Sequence, residues 1–454
     1  MEEGGAQAIP DAMELQESLP TQTLAESAAI VNIYPKNSVD NDQPICFRVV
    51  TGDSEMLVPS EMLLYCYWKV LDDKGKDIAN ENEDLQYVLP TNGFTYSFFK
   101  DISVKLNDET ITESSNTYPY VADFQTRLGH SRDVKEKALE LALFREEHVA
   151  YEDIDADVLA FPKDKKDFVD NNEHSNVFGN RFNLTRNSQK FGGVNKLFSE
   201  IFNQPKWLPP NTAMEIKLTR HDPTFSLLCK KDNKKYTICL MECYLAAKIV
   251  TVQKDHVRRM ELSRIEDKKP YIFPLKKTRL VSYSRNRGVR DLSQTELVNG
   301  TLPRKVYVAL VASEAFNGNY KLDPFNYQHY HVSSVTCRVG NQSMPMQGIA
   351  TNYRQKEFLP ALASLLSATD SLFCASHDIG IDRHNYMARN VIYGFDLDPI
   401  RGQGFEVYEL KKRGKLDLEI KLDEITPDGV TVLVYMEFDA ELRIDDQNRL
   451  HRTW

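Results

Sequence analysis

From residue 45 onward the chain keeps returning to short runs of Val, Ile, Tyr, Phe and Thr, each closed by Gly, Asn, Asp or Pro. The runs are ICFRVV (45–50), LLYCYWKVL (63–71), TYSFFKDISVKL (95–106), YTICLMECYLAAKIVTV (236–252), KVYVALVAS (305–313), HYHVSSVTCRV (329–339), ARNVIYGFDL (388–397), KLDLEIKL (415–422) and VTVLVYMEF (430–438). β-branched and aromatic residues in partial alternation, bounded by turn formers, read as strands. Many short strands separated by turns restrict the chain to sandwich or barrel architectures. Only two stretches argue for helix. DVKEKALELALFREEH (133–148) sets Val134, Ala138 and Leu141 on one face. KEFLPALASLLSAT (356–369) is shorter and is interrupted by Pro360.

The strands repeat on a larger scale. Met241-Glu242-Cys243 followed by Leu245–Ile249 can be laid on Met436-Glu437-Phe438 followed by Ala440–Ile444, and each run ends its half of the chain. KDISVKLNDETIT (100–112) likewise matches HVSSVTCRVGNQSMP (331–345) as strand, polar turn and short strand. The two pairs stand at unequal separations, so the copies differ in loop length. Self-similarity on the domain scale implies two like sandwiches side by side.

At 454 residues the chain has room for more than one core. The net charge of −10 argues against nucleic-acid binding by the molecule as a whole. The seven cysteines (46, 66, 229, 239, 243, 337 and 374) form no CxxC pair and read as reduced core thiols. Cys239 and Cys243 lie in one strand-like run, where their spacing does not imply zinc. No apolar run reaches the ~18–20 residues of a membrane helix, and the acidic N-terminus lacks the basic region of a secretory signal.

Residues 1–40 have no Lys or Arg before Lys36 and read as a flexible acidic arm, either disordered or ordered on assembly. Residues 41–252 read as a first β-sandwich or barrel domain with long loops at 129–210. Residues 253–300 read as a basic connecting segment leading into the second barrel, and 301–454 as its remainder with a C-terminal tail.

Collinear text then carries a family resemblance. LPRKVYVALVASEAFNGNYKLDPFNYQHYHVSSVTCRVGNQSMP (302–345), IYGFDLDP (392–399) and KRGKLDLEIKLDEITPDGVTVLVYMEFDAELRIDDQNR (412–449) resemble the major capsid protein of Polinton/Maverick elements and adintoviruses. SSNTYPYVADFQTRL (114–128) and NTAMEIKLTRHDPTFSLL (211–228) extend the likeness into the first half. One departure is EFDA at 437–440, where the family often has EFDN. The resemblance implies an all-β fold of two tandem jelly-roll (β-sandwich or barrel) domains with short helices in the loops. It further implies a structural, non-enzymatic subunit of the virion. Three copies would form a pseudo-hexameric capsomer, and capsomers would tile an icosahedral shell around double-stranded DNA. The partners so implied are two further copies of the chain, neighbouring capsomers, penton and minor capsid proteins, a packaging ATPase and a maturation protease. A jelly-roll carbohydrate-binding module is the alternative.

The chain shows little that argues for catalysis. His329-Tyr330-His331 is an HxH on an expected strand, where alternate side chains share a face. No carboxylate follows it, as a cupin-type metal site would require, so polar histidines on an exposed strand are expected. His377, Asp378, Asp382, Arg383 and His384 cluster without a nucleophile elbow and read as a solvated loop. No catalytic, metal-binding or cofactor-binding residue is therefore assigned. Phe178, Phe182, Phe191, Phe198 and Phe202 fit either core packing or an interface. Residues 254–290 hold twelve Lys and Arg against four Asp and Glu. They read as a linker with solvated strand faces, or as a surface meeting packaged DNA or acidic arms. The sequons at Asn183, Asn299 and Asn341 read as unused.

Overall fold

The structure is a computed structural model that describes residues 21–39, 43–78, 88–112, 115–154, 173–230, 234–340, 342–374, 377–398 and 412–453. The first half forms β1 (Ala25–Ile33), β2 (Ile45–Val50), β3 (Glu55–Asp72), β4 (Leu89–Pro90), β5 (Phe99–Leu106), β6 (Glu109–Thr110), β7 (Phe191–Asn195), β8 (Ala213–Arg220), β9 (Leu227–Leu228) and β10 (Tyr236–Val252). The second half forms β11 (Tyr271–Arg285), β12 (Gln294–Thr301), β13 (Lys305–Ala312), β14 (Val332–Val339), β15 (Gln342–Ala350), β16 (Ile392–Asp396), β17 (Arg413–Leu422), β18 (Val430–Ile444) and β19 (Leu450–Thr453).

The pairing order identifies the architecture. In the first half one sheet runs β1-β10-β3-β7 and the other β2-β8-β5-β6, with β4 and β9 as a small separate pair. In the second half the sheets run β11-β18-β13-β16 and β12-β17-β14-β15, and β19 adds to β18. With β4, β9 and β19 set aside, each half has eight strands. One sheet then reads first, eighth, third, sixth, and its partner second, seventh, fourth, fifth. That interleaved antiparallel order is the jelly roll, and the chain makes it twice. Both internal matches fall on equivalent strands: β10 with β18, and the hairpin β5–β6 with β14–β15.

Period-two burial builds the cores. In β3, Met62, Leu64, Cys66, Trp68 and Val70 point inward while the residues between them are partly exposed. In β10 the alternation breaks once. Leu240 pairs with Trp68 and Glu242 with Tyr67, so Met241 is the extra residue of a β-bulge. Tyr236, Ile238 and Leu240 face the core before the bulge, and Cys243, Leu245 and Ala247 after it. Cys239 and Cys243 therefore lie on opposite faces. Ala440, the last residue of EFDA, is buried in β18, so an amide there would enter the core.

The connections sort to two ends. At one end, residues 51–54, 107–108 and 302–304 turn tightly. At the other, the connection between the fifth and sixth strands of each barrel spans 111–190 in the first and 351–391 in the second. The first is about twice as long as the second and includes the described residues of 129–190, while the rest of the expected loop region 129–210 holds strand β7 and the segment that follows it. The tight end also holds the start of β1 and the end of β10, with Gln253 N donating to Leu24 O at 3.0 Å. From there the helix Lys254–Glu266 leads to β11. Its Arg264 is buried and donates to Asp445 O at 2.5 Å and Asn448 Oδ1 at 2.7 Å.

Several local expectations change. β1 lies inside the first forty residues, so part of the expected arm is a strand; residues 1–20 and 40–42 are outside the described residues. The helix expected over 133–148 stops at Lys137, becomes a 3-10 turn over Ala138–Ala142 and ends at Leu143 with φ 58°. Gly93 N donates to Leu143 O (2.9 Å) and Asn92 Nδ2 to Arg145 O (2.6 Å), which pulls the chain off the helical path. Pro360 does not interrupt the helix Leu359–Ala368; it sits in the first turn, where a missing N–H has no helical partner to lose. The basic segment after residue 253 contains a helix that its weak apolar periodicity did not announce.

Candidate functional site: a buried ionic seam between the barrels

The long connections of the two barrels meet, and their charged side chains form a buried network. Gly93 starts the helix Phe94–Ser97 with φ 63°, and a Cβ there would lie 2.0 Å from the Tyr96 ring. Glycine thus allows Tyr96 to turn inward. The helix Tyr118–Gly129 carries Asp123 and Arg127 one turn apart on the same face. The helix Glu173–Thr185 carries Arg181. From the second barrel come Asp323, Asn326 and Tyr327, ahead of β14, and Arg389 and Asn390 at the end of the helix Arg383–Arg389.

Asp123 is fully buried. It accepts from Tyr96 Oη at 3.0 Å, from Arg127 Nε at 2.7 Å and, across the seam, from Tyr327 Oη at 2.7 Å. Arg127 Nη1 donates across the seam to Asn390 Oδ1. Glu147 receives Arg181 from its own barrel and Arg389 from the other. Arg389 also donates to Asp323 Oδ2 at 2.8 Å. Glu152 accepts from Asp323 N and Asn326 Nδ2, both at 2.8 Å. Lys135 Nζ reaches Ile379 O at 2.5 Å. Rings surround the charges: Phe124 stacks on Tyr327 (5.5 Å) and Tyr435 (5.2 Å), and Tyr120 on Phe316 (5.4 Å).

Burial governs the electrostatics. It pushes the Glu152 carboxyl up to about 7, helped by the nearby Asp323, and raises Asp323 itself. Burial pulls Lys135 down to about 8. Burial also lowers Arg181 to about 10 against the pull of Asp323, and burial with the nearby Arg127 lowers Arg389 to about 9 against the pull of Asp123. Such a network holds only when every member is present, because removing one partner leaves an uncompensated buried charge. It can fix two barrels at one relative orientation. It offers no exposed nucleophile and no paired base.

The sequence-derived candidates lie elsewhere. His329-Tyr330-His331 is not on a strand. Tyr330 and His331 have φ of 41° and 50°, and β14 begins only at Val332. His329 stacks on Tyr353 at 4.5 Å, and its Nδ1 accepts from His331 N at 3.0 Å. Burial and the second imidazole hold His329 down to about 4. Together with His384 and Lys356 these residues line a crevice of about 950 Å³. Among the described residues no group of three or more His, Cys, Asp and Glu is placed to hold a metal. In the other polar cluster Asp382 caps the helix Arg383–Arg389, and Asp378 O accepts from Arg132 N across the barrels at 2.7 Å. Phe191, Phe198 and Phe202 enter the main core, while Phe178 and Phe182 pack with Tyr151, Leu89 and Leu228. Sequence reasoning missed the seam residues; isolated Arg and Asp in loop-like text carry no local sign of burial.

The outer face and edge of the first sheet expose several apolar side chains beside ion pairs such as Lys248–Glu61. Ile30 is 73% exposed, Tyr34 61% and Met241 49%. Tyr244 stacks on Tyr65 at 4.8 Å and meets Tyr34 at 5.8 Å. Among the described residues β1 pairs only with β10, so its far edge is open. No described helix is long and apolar enough to cross a membrane.

Comparison with known proteins places this geometry. No family model matches the chain. An uncharacterized protein of Caenorhabditis elegans is 24% identical over 436 residues, covering 94% of this chain and 97% of that protein. Among solved structures, a chain of the Sputnik virophage superposes with a TM-score of 0.62 at 11% identity, covering 99% of this chain and 93% of that one. A chain of the PBCV-1 virus capsid gives 0.55 at 7% identity over 97% and 99%. The mavirus major capsid protein gives 0.52 at 11% identity over 100% and 96%. The likeness runs from end to end and covers both barrels, so this chain has the double jelly-roll fold of those viral capsid proteins.

Proposed function

We propose that this chain is a structural major capsid subunit of a virion. The observation that carries the reading is the doubled strand order over the full length, matched end to end by capsid chains. On this reading three copies associate, and their six barrels fill a pseudo-hexagonal footprint. Such capsomers then tile an icosahedral shell around double-stranded DNA, with pentons and minor capsid proteins completing it. The ionic seam supports it, because a tile must hold its two barrels at one angle. The exposed apolar side chains Ile30, Tyr34 and Met241 on the first sheet support it too, since exposed apolar side chains can mark an interaction face, and cyclic symmetry lets one chain supply both sides of the contact. The relative from an animal and the collinear text described above favour a Polinton/Maverick or adintovirus-type source. Exposed bases such as Arg258 and Arg259, near the tight end, suit non-specific contact with packaged DNA.

The test is the mass and outline of the purified chain. Light scattering should give three times 52.2 kDa, and negative-stain images should show six-lobed particles or shells. A stable monomer that binds glycans would overturn the proposal in favour of a carbohydrate-binding module.

A further inference from the structure

We infer that Cys66 and Cys243 form a latent disulfide site that, once oxidised, joins β3 to β10 inside the first barrel. The two are direct partners across the antiparallel ladder. Opposed Cα atoms there lie about 4.5–5.5 Å apart, within the roughly 4.4–6.8 Å that disulfides span. Their Sγ atoms stand 3.1 Å apart. Both residues are 2% exposed.

The Met241 bulge creates this placement. If the strand ran through Met241 with no bulge to absorb it, the alternation that puts Ile238 and Leu240 inward would turn Cys243 outward. The bulge reverses the parity and sets Cys243 against Cys66. Three of the other five thiols are placed differently: Cys229 meets Tyr236 Oη at 3.6 Å, Cys239 meets Met241 Sδ at 3.8 Å, and Cys46 points to Pro44 O at 3.8 Å.

The chemistry is thiol–disulfide exchange with a small-molecule disulfide such as oxidised glutathione. One cysteine thiolate attacks the oxidant, forms a mixed disulfide and releases one small thiol. The second cysteine thiolate attacks the protein-side sulfur, closes the Cys66–Cys243 bond and releases the other small thiol. Two protein S–H groups are consumed, and the oxidant's S–S bond is reduced to two thiols. Burial and the adjacent Cys243 raise the Cys66 pKa, so the closed sheet presents little thiolate. Reaction therefore waits for the sheet to open, and the bond forms on lasting exposure to oxidant rather than on brief exposure. Once made, it closes a ring from residue 66 to 243 that holds most of the first barrel, a constraint that falls mainly on the unfolded chain. The inference does not depend on the capsid reading.

The experiment uses the full chain. It is equilibrated with oxidised glutathione through a cycle of mild urea and its removal, then denatured, and its thiols are titrated. Two of the seven cysteines should be lost, and a proteolytic map should show the peptides holding Cys66 and Cys243 joined. The Tm should rise by several degrees and fall back with reductant. Cys243→Ala should keep all its remaining thiols and lose the redox dependence of Tm. Cys66→Val is the matching control if that variant folds poorly. Seven titratable thiols after the cycle, or a bridge between another pair, would overturn the inference.

Discussion

Glu152 is where a single side chain sets a condition on the whole seam. Its carboxyl sits at about 7 in the folded protein against an ordinary 4.5. A raised acid contributes stability that is fully present below pH 4.5 and lost as the pH rises through 7. The shift is worth at most about 3 kcal/mol. Glu152→Gln keeps an oxygen for Asp323 N but cannot ionise. Its stability relative to wild type, read from urea midpoints, should therefore grow between pH 4.5 and 7.5. His221 and His329, each held down to about 4 by burial, act in the opposite sense below pH 6.5. They are common to both proteins, so the difference isolates Glu152. A difference independent of pH would show that the carboxyl is not desolvated as described.

Strands carry most of what was readable beforehand. The run 236–252 coincides with β10, and both internal matches fall on equivalent strands, because period-two burial writes itself into local sequence. The exceptions have long-range causes. Leu143 is drawn into a left-handed turn by contacts with residues 92 and 93. The HxH lies off its expected strand, with Tyr330 and His331 at positive φ and His329 stacked on Tyr353. The β10 bulge is invisible in a run whose residues are nearly all apolar. β1 escaped notice because its pattern is apolar on faces that the single chain leaves exposed, which is itself informative about its role. Ile30→Lys should leave the fold intact, with stability changed by no more than about 0.5 kcal/mol. In the proposed capsomer the same change should shift light scattering from trimer toward monomer. An unaltered trimer would remove β1 from the interface.

On the scale of the whole molecule, charged side chains cross between the halves. Arg389 faces Glu147 on one side and Asp323 on the other. Arg389→Ala would strip buried Asp323 of its direct ion pair and leave Glu147 with Arg181 alone, at a cost of about 3–5 kcal/mol. Calorimetry of the wild type should show one cooperative transition, and the variant should show two, as the barrels uncouple. A variant that still unfolds in one step at nearly the wild-type temperature would mean that the apolar contacts alone bind the halves. The seam has a further consequence. Tandem copies of one fold risk exchanging places, a barrel of one chain docking where its neighbour's belongs. Here the long excursion of the first barrel supplies Asp123, Glu147 and Arg181, while the shorter loops of the second supply Asp323, Tyr327 and Arg389. The junction is keyed: the contacts described pair a first barrel with a second, so the difference between the two barrels becomes a safeguard of correct pairing.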